Sequence, residues 1–237
     1  MVDKILVPLS INYGRAIHGL GHIVDTPADF FKNPKSYKMV LFTGGEDVSP
    51  MLYNDTSPEG HCYYSTERDM FELKIAKVAM EYSIPMGGIC RGLQFLNVVA
   101  GGKLMHHVSG HGGSNHKVVT IHGEEFNVNS LHHQMIIPPK ESNLIGWAKE
   151  NISKLYIGEK DKRIAYGGHE NEIAIYPLIK GFGVQYHPEM MKEKTDGYQY
   201  FYNMAKSALS NWDKFVSTYG GSDIGKAQIR KHSGAVA

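Results

Sequence analysis

The chain has 237 residues, a formal net charge of +1, 42% apolar residues and 21% charged residues. This length is enough for one large α/β domain with a buried core, and the small charge gives no electrostatic basis for binding nucleic acid or an acidic membrane surface. No apolar run reaches the roughly 20 residues needed to span a bilayer, and the first ten residues do not resemble a signal peptide. With only two cysteines, we expect no disulfide framework and predict a cytoplasmic protein.

Strands and helices are predicted to alternate along the first half of the chain. The strand over residues 39–42 ends in Gly44-Gly45, which indicates a loop whose backbone approaches another group closely. Thr66 is predicted to cap the helix that follows it, with Asp69 three residues later. The predicted elements are a strand over residues 4–9, a helix over 13–20, a strand over 39–42, a helix over 66–82, a strand over 86–89 and a helix over 91–99.

The second half is predicted to contain short strands and one long helix. Apolar residues at helical spacing predict a single helix over residues 198–219. Strands interleaved with helices favour an α/β fold with a mostly parallel central sheet covered on both faces. We predict one domain over residues 1–220 and a mobile tail over residues 221–237. The strand candidates are residues 118–121, 164–166, 173–176 and 182–186.

Residues 88–92 read Gly-Ile-Cys-Arg-Gly at the junction of a predicted strand and a predicted helix. This is the cysteine form of the nucleophile elbow, in which a sharp turn lifts the nucleophile above the sheet. The flanking glycines are needed because such a turn leaves no room for a Cβ atom. The helix start and the adjacent Arg91 both favour a thiolate at Cys90. Cys62, in a polar loop without a nearby base in the sequence, is predicted to be structural.

His187 and Glu189 follow a predicted strand and lie two residues apart. In an extended segment such residues face the same way, so the Glu189 carboxylate can reach the far ring nitrogen of His187 and set its tautomer. Taken alone, this His-Pro-Glu sequence is better explained as a surface turn. Together with Cys90 it predicts a general base and the carboxylate that orients it.

These two stretches, Gly-Ile-Cys-Arg-Gly and Gly-Val-Gln-Tyr-His-Pro-Glu, resemble the signature of class I glutamine amidotransferases. More narrowly, the sequence resembles the peptidase C26 group, which includes γ-glutamyl-γ-aminobutyrate hydrolase. The resemblance extends over residues 12–208 and implies a three-layer, flavodoxin-like domain with the catalytic triad Cys90, His187 and Glu189. Its five motifs occur in the family's order, at residues 44–53, 68–72, 88–102, 128–134 and 183–189.

The resemblance also implies which residues would stabilise the oxyanion and bind the substrate. The backbone N–H groups of Gly45 and Arg91 would form the oxyanion hole. Gln94, one helical turn after Cys90, would help to hold the amino and carboxylate end of a glutamyl group. The implied substrate-facing loop contributes Ser130, His132, His133 and Gln134, which offer the donors and acceptors that a zwitterion needs.

Three charged residues near the start of a predicted helix, Arg68, Asp69 and Glu72, are expected to pair locally or to cap that helix.

The predicted function is hydrolysis of a γ-glutamyl amide bond through a thioester, with a small γ-glutamyl conjugate as substrate. One alternative is a glutaminase subunit that passes ammonia to a separate synthetase partner. A second is a catalytically silent binding domain. The sequence leaves the released amine open, and a homodimer is common among similar enzymes.

We expect neither a metal nor a cofactor. Six histidines close together in the sequence could suggest a metal site, namely His106, His107, His111, His116, His132 and His133. Zinc, however, needs three or four convergent ligands, and these residues lie in glycine-rich loop sequence without a H-E-x-x-H or C-x-x-C pattern. The sequence also lacks a Walker loop and a dinucleotide fingerprint, so nucleotide-driven chemistry is not expected.

Overall fold

The computed structural model describes residues 3–221. The predicted tail therefore lies outside the described residues from position 222 onward. The strands are β1 Lys4–Leu6, β2 His22–Val24, β3 Tyr37–Phe42, β4 Met86–Ile89, β5 Lys103–Met105, β6 His107–Val108, β7 Gly112–Thr120, β8 Glu125–Leu131, β9 Met135–Ile137, β10 Asn143–Ala148, β11 Tyr156–Ile157, β12 Asn171–Tyr176 and β13 Gly181–Val184. The α-helices are α1 Pro27–Lys32, α2 Thr66–Glu81, α3 Arg91–Val99, α4 Asp196–Ser210 and α5 Trp212–Tyr219.

Nine of these strands form one central sheet in the order β2-β1-β3-β4-β13-β12-β10-β7-β8. Pairing is parallel from β2 to β13 and antiparallel from β13 to β8. The predicted α/β class is confirmed, and the sheet is mixed rather than mostly parallel. The antiparallel half arises because short turns join several of its strands, whereas parallel neighbours require crossover helices.

Two apolar cores cover the two faces of the sheet, which gives three layers. Residues alternate between the faces along each strand. Ile5 and Met39 belong to the core that contains Phe201 of α4, whereas Leu6 and Val40 belong to the other core. That second core also contains apolar side chains of α2 and α3. No helix of the described residues is long and apolar enough to cross a membrane.

Several predicted strands differ from the observed ones. Residues 118–121, 173–176 and 182–186 correspond to parts of β7, β12 and β13. The strand predicted at residues 164–166 is wrong. An isolated bridge lies just before this segment, at Arg163, and the apolar side chains of the segment pack in a small satellite core. The predicted opening strand ends early, at Leu6, and Leu9 has a left-handed backbone with φ of 73°.

The predicted helices are also corrected at their ends. Residues 198–219 form two helices, because Asn211 adopts an extended backbone and its side-chain oxygen accepts the Lys214 N–H at 2.9 Å, which caps α5. Ser65 rather than Thr66 caps α2, since its hydroxyl oxygen accepts the Arg68 N–H at 3.3 Å. The helix predicted over residues 13–20 is a 3-10 segment, Ile11–Ile17.

Candidate active site

Cys90 lies on a sharp turn between β4 and α3. Its backbone has φ of 53° and ψ of −111°, a strained conformation for a residue with a side chain. A Cβ atom on Gly88 would collide with the backbone of Gly92 and with Leu93 N, and one on Gly92 would collide with the carbonyl of Phe42. The predicted elbow is therefore present, and the packing explains why glycine is needed on both sides of it.

The sheet explains why His187 and Glu189 lie beside this elbow. Strand β13 pairs in parallel with β4, with Val184 opposite Ile89, so the carboxyl ends of the two strands lie side by side. The Cys90 N–H donates to the Val184 carbonyl at 2.8 Å. The segment after β13 therefore runs directly past the cysteine.

The three predicted catalytic side chains form a connected set. His187 Nδ1 lies 2.7 Å from Glu189 Oε1, and His187 also hydrogen-bonds with Cys90. Since Glu189 occupies Nδ1, the opposite ring nitrogen is the one available to the sulfur. All three residues are buried.

This arrangement changes the protonation of His187. Burial lowers the pKa of His187, but hydrogen bonds with Cys90 and Glu189 outweigh burial and raise the pKa to about 10. His187 is therefore an imidazolium at neutral pH and can donate a proton.

Asn129, on β8, holds the backbone on which His187 lies. Its side-chain oxygen accepts the His187 N–H at 2.8 Å, and its amide donates to the His187 carbonyl at 3.0 Å. From the sequence, Asn129 was placed in a family motif without a role of its own. The pairing joins strand β8 to a residue 58 positions away, which sequence spacing does not reveal.

Arg68 fixes the loop that carries Gly45. Its guanidinium donates to the carbonyls of Thr43 at 3.1 Å and Gly44 at 2.9 Å. Gly45 has φ of 129°, and a Cβ atom there would collide with the Arg68 side chain. Such a rigid, side-chain-free loop suits the presentation of a backbone N–H, but the oxyanion-hole roles of Gly45 and Arg91 stay predictions.

The Arg91 side chain is turned away from the cysteine into a buried ion cluster. Its guanidinium pairs with Asp69 and Glu72, and its Nε donates to the Glu46 carbonyl at 3.0 Å. Burial, followed by the neighbouring Arg68, lowers the pKa of Arg91 to about 9.

The expectation that the charged residues of α2 pair only locally is therefore incomplete. Arg68 does pair with Glu72 at 3.4 Å, but Asp69 and Glu72 also anchor the first residue of α3. Asp69 additionally accepts the Ser49 N–H at 2.9 Å. These residues connect α2 to both the elbow and the loop that carries Gly45.

Tyr13 is a neighbour of the triad that no sequence motif indicated. Its ring centroid lies 6.2 Å from that of His187. Burial, and then the charges of Glu189 and Cys90, raise the pKa of Tyr13 to about 12. Its hydroxyl therefore keeps its proton at neutral pH.

Two of the predicted substrate residues, Gln94 and Gln134, are joined by a hydrogen bond, and a third, His133, contacts a carboxylate instead. Gln94 is buried, and its amide donates to the Gln134 carbonyl at 3.2 Å and to Gln185 Oε1 at 3.3 Å. The amide of Gln134 donates to Cys62 Sγ at 3.2 Å, and His133 Nε2 lies 3.0 Å from Asp47 Oδ1. Their substrate-binding roles stay predictions.

The other two predicted substrate residues, Ser130 and His132, are buried in a separate group of histidines. Ser130 Oγ lies 3.0 Å from His111 Nδ1, and His132 Nδ1 donates to the Gln134 carbonyl at 2.8 Å. Cys62 is buried as well, and burial raises the pKa of its thiol to about 11, which fits the predicted structural role.

Comparison with known proteins shows the same relationship in sequence and in fold. The family model described as Peptidase C26 matches residues 35–122. A glutamine amidotransferase-like protein of Lactococcus lactis subsp. cremoris, the YvdE homolog, is 35% identical over 148 residues, covering 49% of this chain and 76% of that protein. The carbamoyl phosphate synthase small chain of Aquifex aeolicus is 27% identical over 142 residues, covering 60% of this chain but 34% of its own length.

Among solved structures, a Thermoplasma acidophilum protein that is provisionally assigned to GMP synthase matches with a TM-score of 0.60. It is 17% identical, and the match covers 90% of this chain and 97% of that one. At that identity the likeness shows the fold alone. The sequence relatives show that the chain belongs to the class I glutamine amidotransferase-like superfamily.

Proposed function

We propose that this protein hydrolyses γ-glutamyl amide bonds, with Cys90 as nucleophile, His187 as acid and base, and Glu189 as the carboxylate that orients His187. The observation that carries the proposal is the connected set on the elbow, in which one nitrogen of a protonated His187 is held by Glu189 and the imidazolium hydrogen-bonds with Cys90. An activated thiolate beside a proton donor is what amide cleavage through a covalent intermediate requires.

In the first half of the reaction, the Cys90 sulfur forms a bond to the γ-carbonyl carbon. The electron pair of the carbonyl moves to its oxygen, where the N–H groups of Gly45 and Arg91 would stabilise it. When the tetrahedral intermediate collapses, the C–N bond breaks and His187 gives its proton to the departing amine. A γ-glutamyl thioester remains on Cys90.

In the second half, neutral His187 takes a proton from water as the water oxygen attacks the thioester carbon. Collapse of this intermediate breaks the C–S bond, releases glutamate and returns the thiolate beside a protonated His187. Glu189 keeps the imidazole in one orientation through both halves, because its contact with Nδ1 does not involve the reacting nitrogen.

The first test is glutamate release from a panel of glutamine, γ-glutamyl-γ-aminobutyrate, γ-glutamyl peptides and an unrelated ester. We expect preferential cleavage of one γ-glutamyl conjugate over glutamine, which would also identify the released amine. Cys90→Ala should lower kcat by at least about 10³-fold while the protein stays folded. Cys62→Ala is the matched control and should retain activity, and turnover that survives in Cys90→Ala would contradict the proposal.

A second candidate function is a glutaminase subunit that delivers ammonia to a synthetase. The likeness to a carbamoyl phosphate synthase small chain favours it, and the same triad would perform the chemistry. This candidate predicts that glutamine is the preferred substrate and that its turnover rises sharply when a co-purified partner is added. Full activity of the isolated chain on another γ-glutamyl amide would exclude it.

A third candidate is a binding domain without catalysis. It predicts that Cys90 fails to react with a thiol-directed electrophile. The imidazolium beside Cys90 supports the opposite result, which is labelling of Cys90 well before Cys62.

A further inference from the structure

Four buried side chains converge between strands β7, β8 and β12, away from the triad. They are three histidines, His111, His116 and His132, and one carboxylate, Glu172. His116 comes from β7 and Glu172 from β12, whereas His111 directly precedes β7 and His132 directly follows β8. Ring centroids of His111 and His132 lie 4.4 Å apart.

One ring nitrogen of each histidine faces the same oxygen of Glu172. Glu172 Oε1 lies 3.1 Å from His116 Nε2, 3.6 Å from His132 Nε2 and 3.8 Å from His111 Nδ1. Zinc bonds of about 2.0–2.1 Å at tetrahedral angles place neighbouring ligand atoms about 3.4 Å apart. The ligand atoms of His111, His132 and Glu172 all lie within 4.8 Å of one another, so small shifts would bring them to such edges, and His116 Nε2 lies next to the same Glu172 oxygen.

The opposite nitrogens of two of these histidines are already fixed. His132 Nδ1 donates to the Gln134 carbonyl at 2.8 Å, which leaves the Nε2 lone pair directed at Glu172. His111 Nε2 lies 3.0 Å from Glu170, and Ser130 Oγ lies 3.0 Å from Nδ1, so a metal ion at Nδ1 would replace the Ser130 hydroxyl as the partner of that nitrogen. Metal-binding histidines usually donate their second N–H to a carbonyl or carboxylate in this way.

Glu170 itself is fully occupied as an acceptor. Its oxygens receive the N–H groups of Ile152 at 2.9 Å and Ser153 at 2.7 Å and the Tyr156 hydroxyl at 2.7 Å. Because its other partners are all donors, Glu170 accepts from His111 Nε2 as well. His111 is thereby held with Nδ1 toward Glu172.

Several polar atoms of these histidines and of Glu172 have no hydrogen-bond partner in the described part of the chain. Both oxygens of Glu172, both ring nitrogens of His116 and Nε2 of His132 are buried without a hydrogen-bond partner. Buried polar groups in this state destabilise the fold unless a ligand or proton joins them. A divalent cation would satisfy the facing lone pairs and would balance the charges of Glu172 and Glu170.

We propose that His111, His116, His132 and Glu172 bind a zinc ion in a closed, four-coordinate structural site. This inference does not depend on the proposed hydrolase activity, and it replaces the sequence-based expectation that the protein binds no metal. Three imidazoles and one carboxylate suit zinc, and a site without an open position suits a structural role. The ion would fasten the β7–β8 hairpin to β12.

A second buried group, Cys62, His106 and Asp161, also brings ligand atoms together. There, however, both nitrogens of His106 already face carboxylates, with Nδ1 2.7 Å from Asp161 and Nε2 3.1 Å from Asp55. This group is therefore explained by the pairing of His106 with the carboxylates of Asp161 and Asp55. A metal bound there would include sulfur among its ligands, which distinguishes the two sites.

The test is the metal content of untagged full-length protein, purified without chelators or immobilised metal and then desalted. We expect a single equivalent of zinc by mass spectrometry, and X-ray absorption should show four nitrogen or oxygen ligands without sulfur. Protein reloaded with Co²⁺ should show the intense visible absorption of tetrahedral cobalt. Removal of zinc should lower Tm, and its return should restore Tm. These measurements on the unaltered chain do not depend on whether any variant folds.

Variants then locate the ion. His116→Ala and Glu172→Gln should each lower zinc affinity by at least about 100-fold. The matched control is His122→Ala, which removes an exposed histidine in the turn between β7 and β8 and should keep full occupancy.

Four outcomes would overturn the proposal. They are a zinc content far below stoichiometric with no rise in Tm on adding zinc, retention of zinc by His116→Ala and Glu172→Gln, sulfur in the coordination shell, and clear preference for another divalent metal. The first of these would show that protons, rather than a metal, join the four side chains.

Discussion

The elbow and the histidine group lie in the two halves of the same sheet and are built in different ways. In the parallel half, Cys90 and His187 are positioned by backbone, because the ends of β4 and β13 lie side by side and glycines permit the turn. In the antiparallel half, His116 and Glu172 are positioned by side chains that reach toward one another across strands. Substitutions in the first region should therefore act mainly on rate or on local strain, and those in the second mainly on stability.

The two regions are nevertheless connected. Strand β8 carries Ser130, which contacts the histidine group, and the adjacent Asn129, which holds the His187 backbone. A stable hairpin on one side thus contributes to the orientation of the base on the other.

The largest effect is expected from Glu189→Gln. Removing the charge that faces His187 Nδ1 lowers the preference for the protonated imidazole and permits a second ring orientation. We expect kcat to fall on the order of 10³-fold with little change in Tm. Glu193→Gln, an exposed neighbour of the same type, should leave both unchanged. A large fall in Tm in Glu189→Gln would contradict the view that this region acts mainly on rate.

Gly88→Ala should reveal the steric limit of the elbow. Its Cβ atom would collide with the backbone of Gly92 and Leu93, which cannot move without shifting α3. We expect the free energy of unfolding to fall by more than about 2 kcal/mol in denaturant titrations. The matched variant Gly167→Ala adds the same atom where nothing lies within 4 Å. Equal stabilities of the two variants would show that the elbow tolerates a side chain.

The sequence predicted the elbow well because its parts are contiguous. A strand, Gly-x-Cys-x-Gly and a helix specify the turn locally, and the strand before His187 ends at the same edge of the sheet. The α2 residues Asp69 and Glu72 were harder to interpret, since they bind Arg91, a residue about 20 positions away.

The histidine group could not be predicted because no spacing unites its members. Glu172 lies just before the strand predicted at residues 173–176, and β7 begins at Gly112, six residues before the strand predicted at residues 118–121. The sequence does not reveal the break between α4 and α5 at Asn211 either. Apolar residues at helical spacing continue on both sides of Asn211, and only the hydrogen bond of its side chain shows where α5 begins.

Asn129→Ala tests the connection between the two regions. The variant loses both hydrogen bonds to the His187 backbone, at 2.8 and 3.0 Å, while the side chains of the triad are unchanged. We expect kcat to fall about tenfold and stability to fall by about 1–2 kcal/mol. Asn127→Ala, on the same strand but exposed, is the control. An unchanged kcat in Asn129→Ala would show that β8 does not position the base.

The smallest expected effect is a dependence of stability on pH that comes from His187. Its pKa is raised from an ordinary value of 6.5 to about 10, because its hydrogen bonds with Cys90 and Glu189 outweigh the lowering effect of burial. A group whose pKa is higher in the folded state stabilises the fold fully below its unfolded pKa. The contribution then declines as pH rises from 6.5 and is lost above about 10.

Denaturant titrations of wild type and His187→Gln at several pH values measure this contribution directly. The advantage of the wild type should shrink steadily between pH 6.5 and about 10, and kcat/KM should fall at the upper end of the same range because the proton donor is lost. Since Cys90 is the first contact that raises the pKa, Cys90→Ala should move the decline in stability to lower pH. A decline that keeps the same position in Cys90→Ala would mean that Glu189 alone holds the proton on His187, and that the sulfur and the imidazole are not coupled in the free enzyme.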